Sequence, residues 1–448
     1  MKKKLCLLIS LAMIITAFTA CGGNSNPSSS GNSATPANSS TPAAQNSPAD
    51  TSKPVELTVV TSYGGDDGNR VNYEKYFKAY EAASGNTIKD ASGTSNEEWK
   101  ARIMADFETG AEPDILFYFT GVDSNPLISG GKVVSVEEIR AVYPDYASNM
   151  KDGMLPKSPV DGKQYAIPVN GYWEGLFVNK KVLADCGVEV PGPNTTWDQF
   201  MADCETIAAK GYTPIAASLQ EVPHYWFEYC VYNHTSVTTH ANLPASSSDA
   251  AGKAWAAGLN DIKDMFEKGF FPKNTNTSTD PETNVLMTDN KAAFMIDGSW
   301  KMGWFIANAE DINDFTVTYV PAKGDRKTTD LIGGLSMGYY ITKKAWDNPE
   351  KQKACVDFIK AMTTDEAVSD FGATAVTALK NGTIQPATAS VLELDALIMT
   401  KGATGIAEAT EDGFTADQRG DLFGNVKNIV TGGMTAEEAI DHAISVKG

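Results

Sequence analysis

Residues 161–181 read DGKQYAIPVNGYWEGLFVNKK, and this stretch decides the fold. An Asp161-Gly162 turn starts an apolar run that reaches Pro168. Asn170, Gly171, Tyr172, Trp173 and Glu174 then interrupt it, and a second run, Leu176-Phe177-Val178, predicts a strand ending at Asn179-Lys180-Lys181. Gly and Asn are depleted in core strands, so the interruption makes a poor core and a good crossing between two lobes. At a crossing the backbone bends and side chains can reach a ligand. Asn170, Tyr172, Trp173 and Glu174 are therefore candidate binding residues.

Working outward, residues 1–20 form a targeting segment. Lys2, Lys3 and Lys4 precede an almost continuously apolar run, Leu5 to Thr19. That run falls short of the roughly 18–20 apolar residues a spanning helix needs and suits a secretory signal. It ends Phe18-Thr19-Ala20-Cys21-Gly22, which looks like a lipoprotein cleavage site with Cys21 as the lipid acceptor; an ordinary signal peptide cut elsewhere is the alternative. Residues 21–54 are rich in Ser, Asn, Pro, Ala and Thr. Such a segment cannot bury enough surface to offset its ordering entropy, and it predicts a tether spanning roughly 30 Å.

The remaining chain, 55–448, exceeds the size at which single cores stop growing, so two lobes are expected. The net charge of −19 argues against nucleic acid and against adsorption to anionic lipid. Cys186, Cys204, Cys230 and Cys355 show no metal-finger spacing, and Cys204 shares a helical face with Trp197, Phe200, Met201 and Ile207. The four histidines, His224, His234, His240 and His442, lack metal spacing, and no GxSxG occurs. No cofactor or metal is expected.

In chain order, Glu56–Ser62 predicts a buried strand, followed by a loop with Tyr63, Asp66 and Asp67 and a helix carrying Tyr73, Tyr76, Phe77 and Tyr80. Ser95-Asn-Glu-Glu98 resembles a capping box for a helix with Trp99, Ile103, Met104 and Phe107 on one side. Residues 113–119 are then a strand. This is the βαβ rhythm of a parallel sheet, whose ligands lie outside the carboxyl ends of the strands, here bearing Tyr63, Asp66, Asp67, Tyr118 and Thr120. Asp66 and Asp67 serve either a solvated turn or a ligand. Glu97 serves either capping or the site. Thr196-Trp-Asp-Gln199 resembles another capping box, for a helix that stops at Gly211. The aromatic run Val222 to Asn233 predicts a helix packed mostly in the core, with His224 and Trp226 as site candidates. Residues 291–304 (KAAFMIDGSWKMGW) predict a strand broken at Gly298, then a helix, with Trp300 turned to the cleft. Ile332 to Ile341 predicts a strand returning to the first lobe, with Gly333, Gly334 and Ser336 at the hinge or the ligand.

The ordered series resembles the extracellular solute-binding proteins of carbohydrate ABC transporters, the family that includes maltose-binding protein. There a DGK-x-Y-x-x-P pattern leads through a hinge and ends in Asn-Lys, as in 161–180, and an apolar strand runs into Gly-x-Trp, as in 292–300. The helix NPEKQKACVDFIKAM, 348–362, has its counterpart too. The resemblance covers nearly all of 55–448. It implies an α/β, two-lobed, Venus-flytrap binding fold of type II with several chain crossings. The first lobe would take 55–167 plus 331–385 and the second 168–330 plus 386–448. It implies a monomeric, non-enzymatic capture subunit, anchored by Cys21 outside the cell membrane, that delivers a sugar to a membrane permease. Rings stack on the C–H faces of a sugar and carboxylates take its hydroxyls. Acids with rings also make a cage for a cation such as a polyamine, the rival reading. A secreted carbohydrate-active enzyme would need two carboxylates at fixed separation, and no such pair stands out.

Overall fold

The computed structural model describes residues 53–65, 67–372, 376–381 and 389–446. The targeting segment, nearly all of the tether, Cys21 and Asp66 lie outside them. In chain order the strands are β1 Glu56–Val60, β2 Thr87–Asp90, β3 Ile115–Phe119, β4 Tyr172–Asn179, β5 Thr213–Ile215, β6 Ala292–Gly298, β7 Phe315–Thr318, β8 Asp330–Gly334, β9 Met337–Ile341 and β10 Gly405–Ala407. They form two sheets. The first has the order β2-β1-β3-β9 and the second β10-β8-β4-β6-β5, with β7 also paired to β4.

In the first sheet β1 runs parallel to β2 and β3, and β9 closes the edge antiparallel to β3. Helix Arg70–Ser84 buries Tyr73, Tyr76, Phe77 and Tyr80 as its period demands. Helix Glu97–Thr109 starts from Asn96, whose side chain accepts the Trp99 amide at 2.8 Å. Asn96, one residue after the expected Ser95, is the better-placed oxygen. Thr196 caps its helix from the expected position, and Thr435 with Glu438 forms a full capping box. β2 and β10 escaped the sequence reading because each is short and half exposed.

β4 is the axis of the second sheet. Its partners are β6 along 174–178, β8 along 172–174 and β7 along 176–179, all antiparallel. Successive residues of a strand point to opposite faces. Leu176 and Val178 thus enter one apolar core, with Tyr172 packed on it, while Trp173 and Phe177 enter another. The chain passes between the sheets near 168–171, where Ile167 bridges Tyr339 of β9 and β4 begins at Tyr172. It passes again at Leu335-Ser336. The single strand expected over 332–341 is two strands in two sheets, split where the Ser336 carbonyl turns to accept the Thr120 amide at 2.8 Å.

Cys186, Cys204, Cys230 and Cys355 are free and buried. No helix among the described residues is long and apolar enough to cross a membrane.

Candidate functional site

Three half-buried rings meet at the end of the second sheet. The Trp300 ring lies 6.0 Å from Tyr172 and 5.9 Å from Tyr225, centroid to centroid. Tyr225 continues to His224 at 4.2 Å, and His224 to Phe423 at 5.7 Å. Trp300 reaches this position because Gly298 has no side chain: a Cβ there would stand 2.2 Å from the indole. The role expected for Gly298 was a sharp backbone turn. The structure uses it for space instead.

Carboxyls lie beneath the rings. Glu174 of β4, Glu228 of helix His224–Tyr232 and Glu411 are buried, and each has one carboxyl oxygen with no hydrogen-bond partner. Asp412 is half-buried beside them. Burial, then the charge of Glu411, holds Glu174 well above the usual carboxylate range. Burial, then Glu174 and Glu411, does the same for Glu228. Asp412 is pushed up to about 7 by burial and then by Glu411, although Arg419 and Lys100 pull the other way. Tyr229 fixes this wall: its hydroxyl donates to the Glu174 carbonyl at 2.6 Å and accepts the Ile332 amide at 3.2 Å.

The opposite wall comes from the first sheet. Asp123, just after β3, takes Arg419 at 2.7 Å and Lys100 at 3.0 Å. Glu97 takes Lys100 at 2.9 Å and Arg419 at 3.6 Å. Arg419 belongs to helix Ala416–Gly424, beyond β10, so this ion-pair group ties the two walls together. Backbones also touch. Added Cβ atoms would place Gly303 2.3 Å from the Gly68 Cα and Gly68 2.9 Å from the Trp300 carbonyl oxygen. Nearby, burial pushes Asp67 up to about 6, against the Asn69 amide that it accepts at 2.7 Å.

The structure sorts the sequence-predicted residues. Tyr172, Glu174, His224 and Trp300 come together, Asp67 lies in the loop that meets the Trp300 end, and Glu97 joins the ion pairs. Trp173 does not join its neighbours, because alternation along β4 sends it into the opposite core, 6.0 Å from Phe177. Tyr63 is a core ring, 4.8 Å from Phe117 and 5.1 Å from Phe371. Tyr118 packs at 5.5 Å on Trp99 and is 1% exposed. Trp226 is equally buried, between Phe200 and Phe271, because it occupies the core-facing side of its helix. Asn170 braces the crossing through the Phe371 carbonyl. Gly333 admits the Tyr172 carbonyl, which a Cβ would approach to 2.5 Å, and Gly334 lies by the Tyr172 ring. Ser336 acts through its carbonyl, which also accepts the Thr120 hydroxyl at 3.1 Å. Sequence reasoning missed Tyr225, Glu228, Glu411, Asp412, Asp123 and Arg419. Glu228 had a signal: it is the lone acid inside the aromatic run 224–232.

Two sheet-centred α/β units whose facing ends bring these rings and carboxyls together have the layout of a two-lobed solute-binding protein. The chain belongs to the bacterial extracellular solute-binding protein family, whose model matches residues 75–405. Family membership places it outside the cytoplasm. It is 24% identical over 394 residues to the diacetylchitobiose binding protein of Streptomyces coelicolor, covering 82% of this chain and 79% of that one. It is 26% identical over 302 residues to the multiple sugar-binding protein of Streptococcus mutans, covering 60% and 69%. A solved chitin oligosaccharide binding protein superposes with a TM-score of 0.76 at 22% identity, over 87% of this chain and 97% of that one. These relatives are named as binding proteins, not as enzymes.

Proposed function

We propose that the protein is the ligand-capturing subunit of a carbohydrate ABC importer, a monomer tethered through lipidated Cys21 that binds a sugar between its lobes and passes it to a membrane permease. The observation that carries this reading is the ring group Trp300, Tyr172 and Tyr225, half-buried over carboxyls at the meeting of the two lobes. Rings of this kind stack on the C–H faces of a sugar. Burying two or three of them, at about 1.5–3 kcal/mol each, leaves a surplus after association costs. Relatives named for binding sugars and chitin-derived oligosaccharides support the same class.

In this mechanism the lobes part and close about the passages at 168–171 and 335–336. Ligand shifts the population toward the closed form through contacts that exist only there. A free polycation such as a polyamine is the second reading, favoured by carboxyls that have no basic partner. Catalysis on a sugar is the least supported, since the relatives are named for binding.

A thermal-shift panel of mono- and oligosaccharides, with spermidine and short peptides alongside, tests the reading, because a ligand that prefers the native state stabilises it. Sugars should raise the melting temperature; a rise with spermidine or peptides alone would sink the carbohydrate assignment. Palmitate labelling should mark the wild type and fail for Cys21→Ser, and labelling that persists would mean another anchor.

A further inference from the structure

The charges around the cleft do not balance. Lys301 is taken by Asp297 at 3.2 Å and Asp280 at 3.6 Å. Lys100 and Arg419 are taken by Asp123 and Glu97. Glu174, Glu228, Glu411 and Asp412 are left with no ion-pair partner among the described residues. They form a row that starts at buried Glu174 and ends at half-buried Asp412, beside Tyr172, whose hydroxyl feels Asp412 more than any other charge. Along the row the Oε2 atoms of Glu174, Glu228 and Glu411 are buried without a hydrogen-bond partner, and these residues are 2%, 1% and 4% exposed.

A buried carboxylate without a counter-charge is costly, and the cost is relieved when a cation arrives. A neutral sugar brings hydroxyl donors but no charge. A metal ion does not fit, for among the described residues no group of three or more His, Cys, Asp or Glu is arranged to hold one. The rings beside the row ask for a flat C–H face, and the row asks for a positive charge with N–H donors. One ligand class offers both.

We propose that the cleft takes a carbohydrate carrying a free, protonated amine, with its ring against Trp300 and Tyr172 and its ammonium at Asp412 and Glu411. The proposal rests on the carbohydrate reading above and narrows it. A free amine matters because acylation removes the charge. Glu228 interacts with both Glu174 and Glu411, so the three buried carboxyls act as one group next to Asp412.

The test is calorimetric titration of the full chain with four probes: the β-1,4-linked glucosamine dimer, its di-N-acetyl form, cellobiose and spermidine. The free-amine dimer should bind at least tenfold tighter than either neutral disaccharide. Asp412→Asn should remove that preference, and Glu411→Gln, whose amide keeps the shape of the site, should do the same if the first variant fails to fold. Equal or tighter binding of the acetylated dimer or cellobiose overturns the amine proposal and leaves the carbohydrate reading standing. Binding of spermidine with no disaccharide bound overturns both. No binding of any disaccharide overturns the proposal as well.

Discussion

Two acidic groups face each other across this cleft, and they are neutralised in different ways. On the first-lobe side Glu97 and Asp123 meet Lys100 and Arg419 within 3.6 Å, so charge is matched by charge. On the second-lobe side Glu174, Glu228, Glu411 and Asp412 have no such partners, and burial moves their proton affinities upward instead. The paired group can do mechanical work: Arg419 reaches Asp123 and Glu97 from the other wall, so those two pairs exist only when the walls meet, while Lys100 pairs within its own wall. The unpaired group cannot hold the walls together. Its free energy is recovered only when something positive, protons or ligand, enters. On the proposed reading, the group compensated within the protein acts as a latch and the uncompensated group as the binding wall.

The largest effect expected from this contrast is on the latch. Asp123→Ala leaves Arg419, whose side chain is 4% exposed, without its nearest partner. Removing one member of a buried pair costs about 3–5 kcal/mol, and here the cost falls on the closed form. Ligand affinity should drop by a hundredfold or more, since each 1.4 kcal/mol is tenfold. Small-angle scattering should show a more open protein at a ligand concentration that closes the wild type. Unchanged affinity and unchanged compaction would mean that the ion pairs only decorate the rim.

Next in size is the ring wall. Trp300→Ala should weaken binding by about 2–3 kcal/mol, roughly thirty- to a hundredfold, with less than about 1 kcal/mol lost from stability without ligand. Trp226→Ala should do the reverse, losing about 3–5 kcal/mol of stability as a core aromatic. Urea melts paired with calorimetric titration separate the two, and a strongly destabilised Trp300→Ala protein that binds normally would move Trp300 into the core.

That pair of tryptophans also shows what the sequence could disclose. The order of motifs placed the crossing at 168–171, the broken strand before Trp300 and the two-lobed architecture, because turns, breaks and apolar runs are local. The direction of a side chain is local too, yet the reading grouped Tyr172, Trp173 and Glu174 although strand period sends Trp173 away. The helical run 224–232 carried the same kind of information: Tyr225 and Glu228 lie three apart on one face, while Trp226 is on another. The latch was beyond reach. Asp123 and Arg419 are 296 residues apart, and only the fold brings them together.

The smallest effect is the most direct test of the unpaired wall. A carboxyl whose proton affinity is raised by folding binds more protons in the native state than in the unfolded one, so stability falls as pH rises through the gap. For Asp412 the gap runs from the ordinary carboxylate range to about 7, for Asp67 to about 6, and Glu174 and Glu228 lie well above the ordinary range. Two histidines act oppositely. Burial first lowers His224 and His240 to about 3, so each favours the native state as pH rises through the interval up to its ordinary 6.5. Above pH 6.5 that opposition fades, because each unfolded histidine then holds less than half a proton and soon none. From pH 6.5 to 8 the ligand-free protein should therefore lose about 1.4 kcal/mol per pH unit for each excess proton held by the native state. Urea melts across that range should show the slope, and Glu228→Gln should reduce it by removing one titrating group. Asp123→Ala should lower the curve as a whole, through the lost ion pair with Arg419. A flat wild-type profile above pH 6.5 would mean that the second-lobe carboxyls are compensated within the protein after all, and the contrast between the two walls would fall.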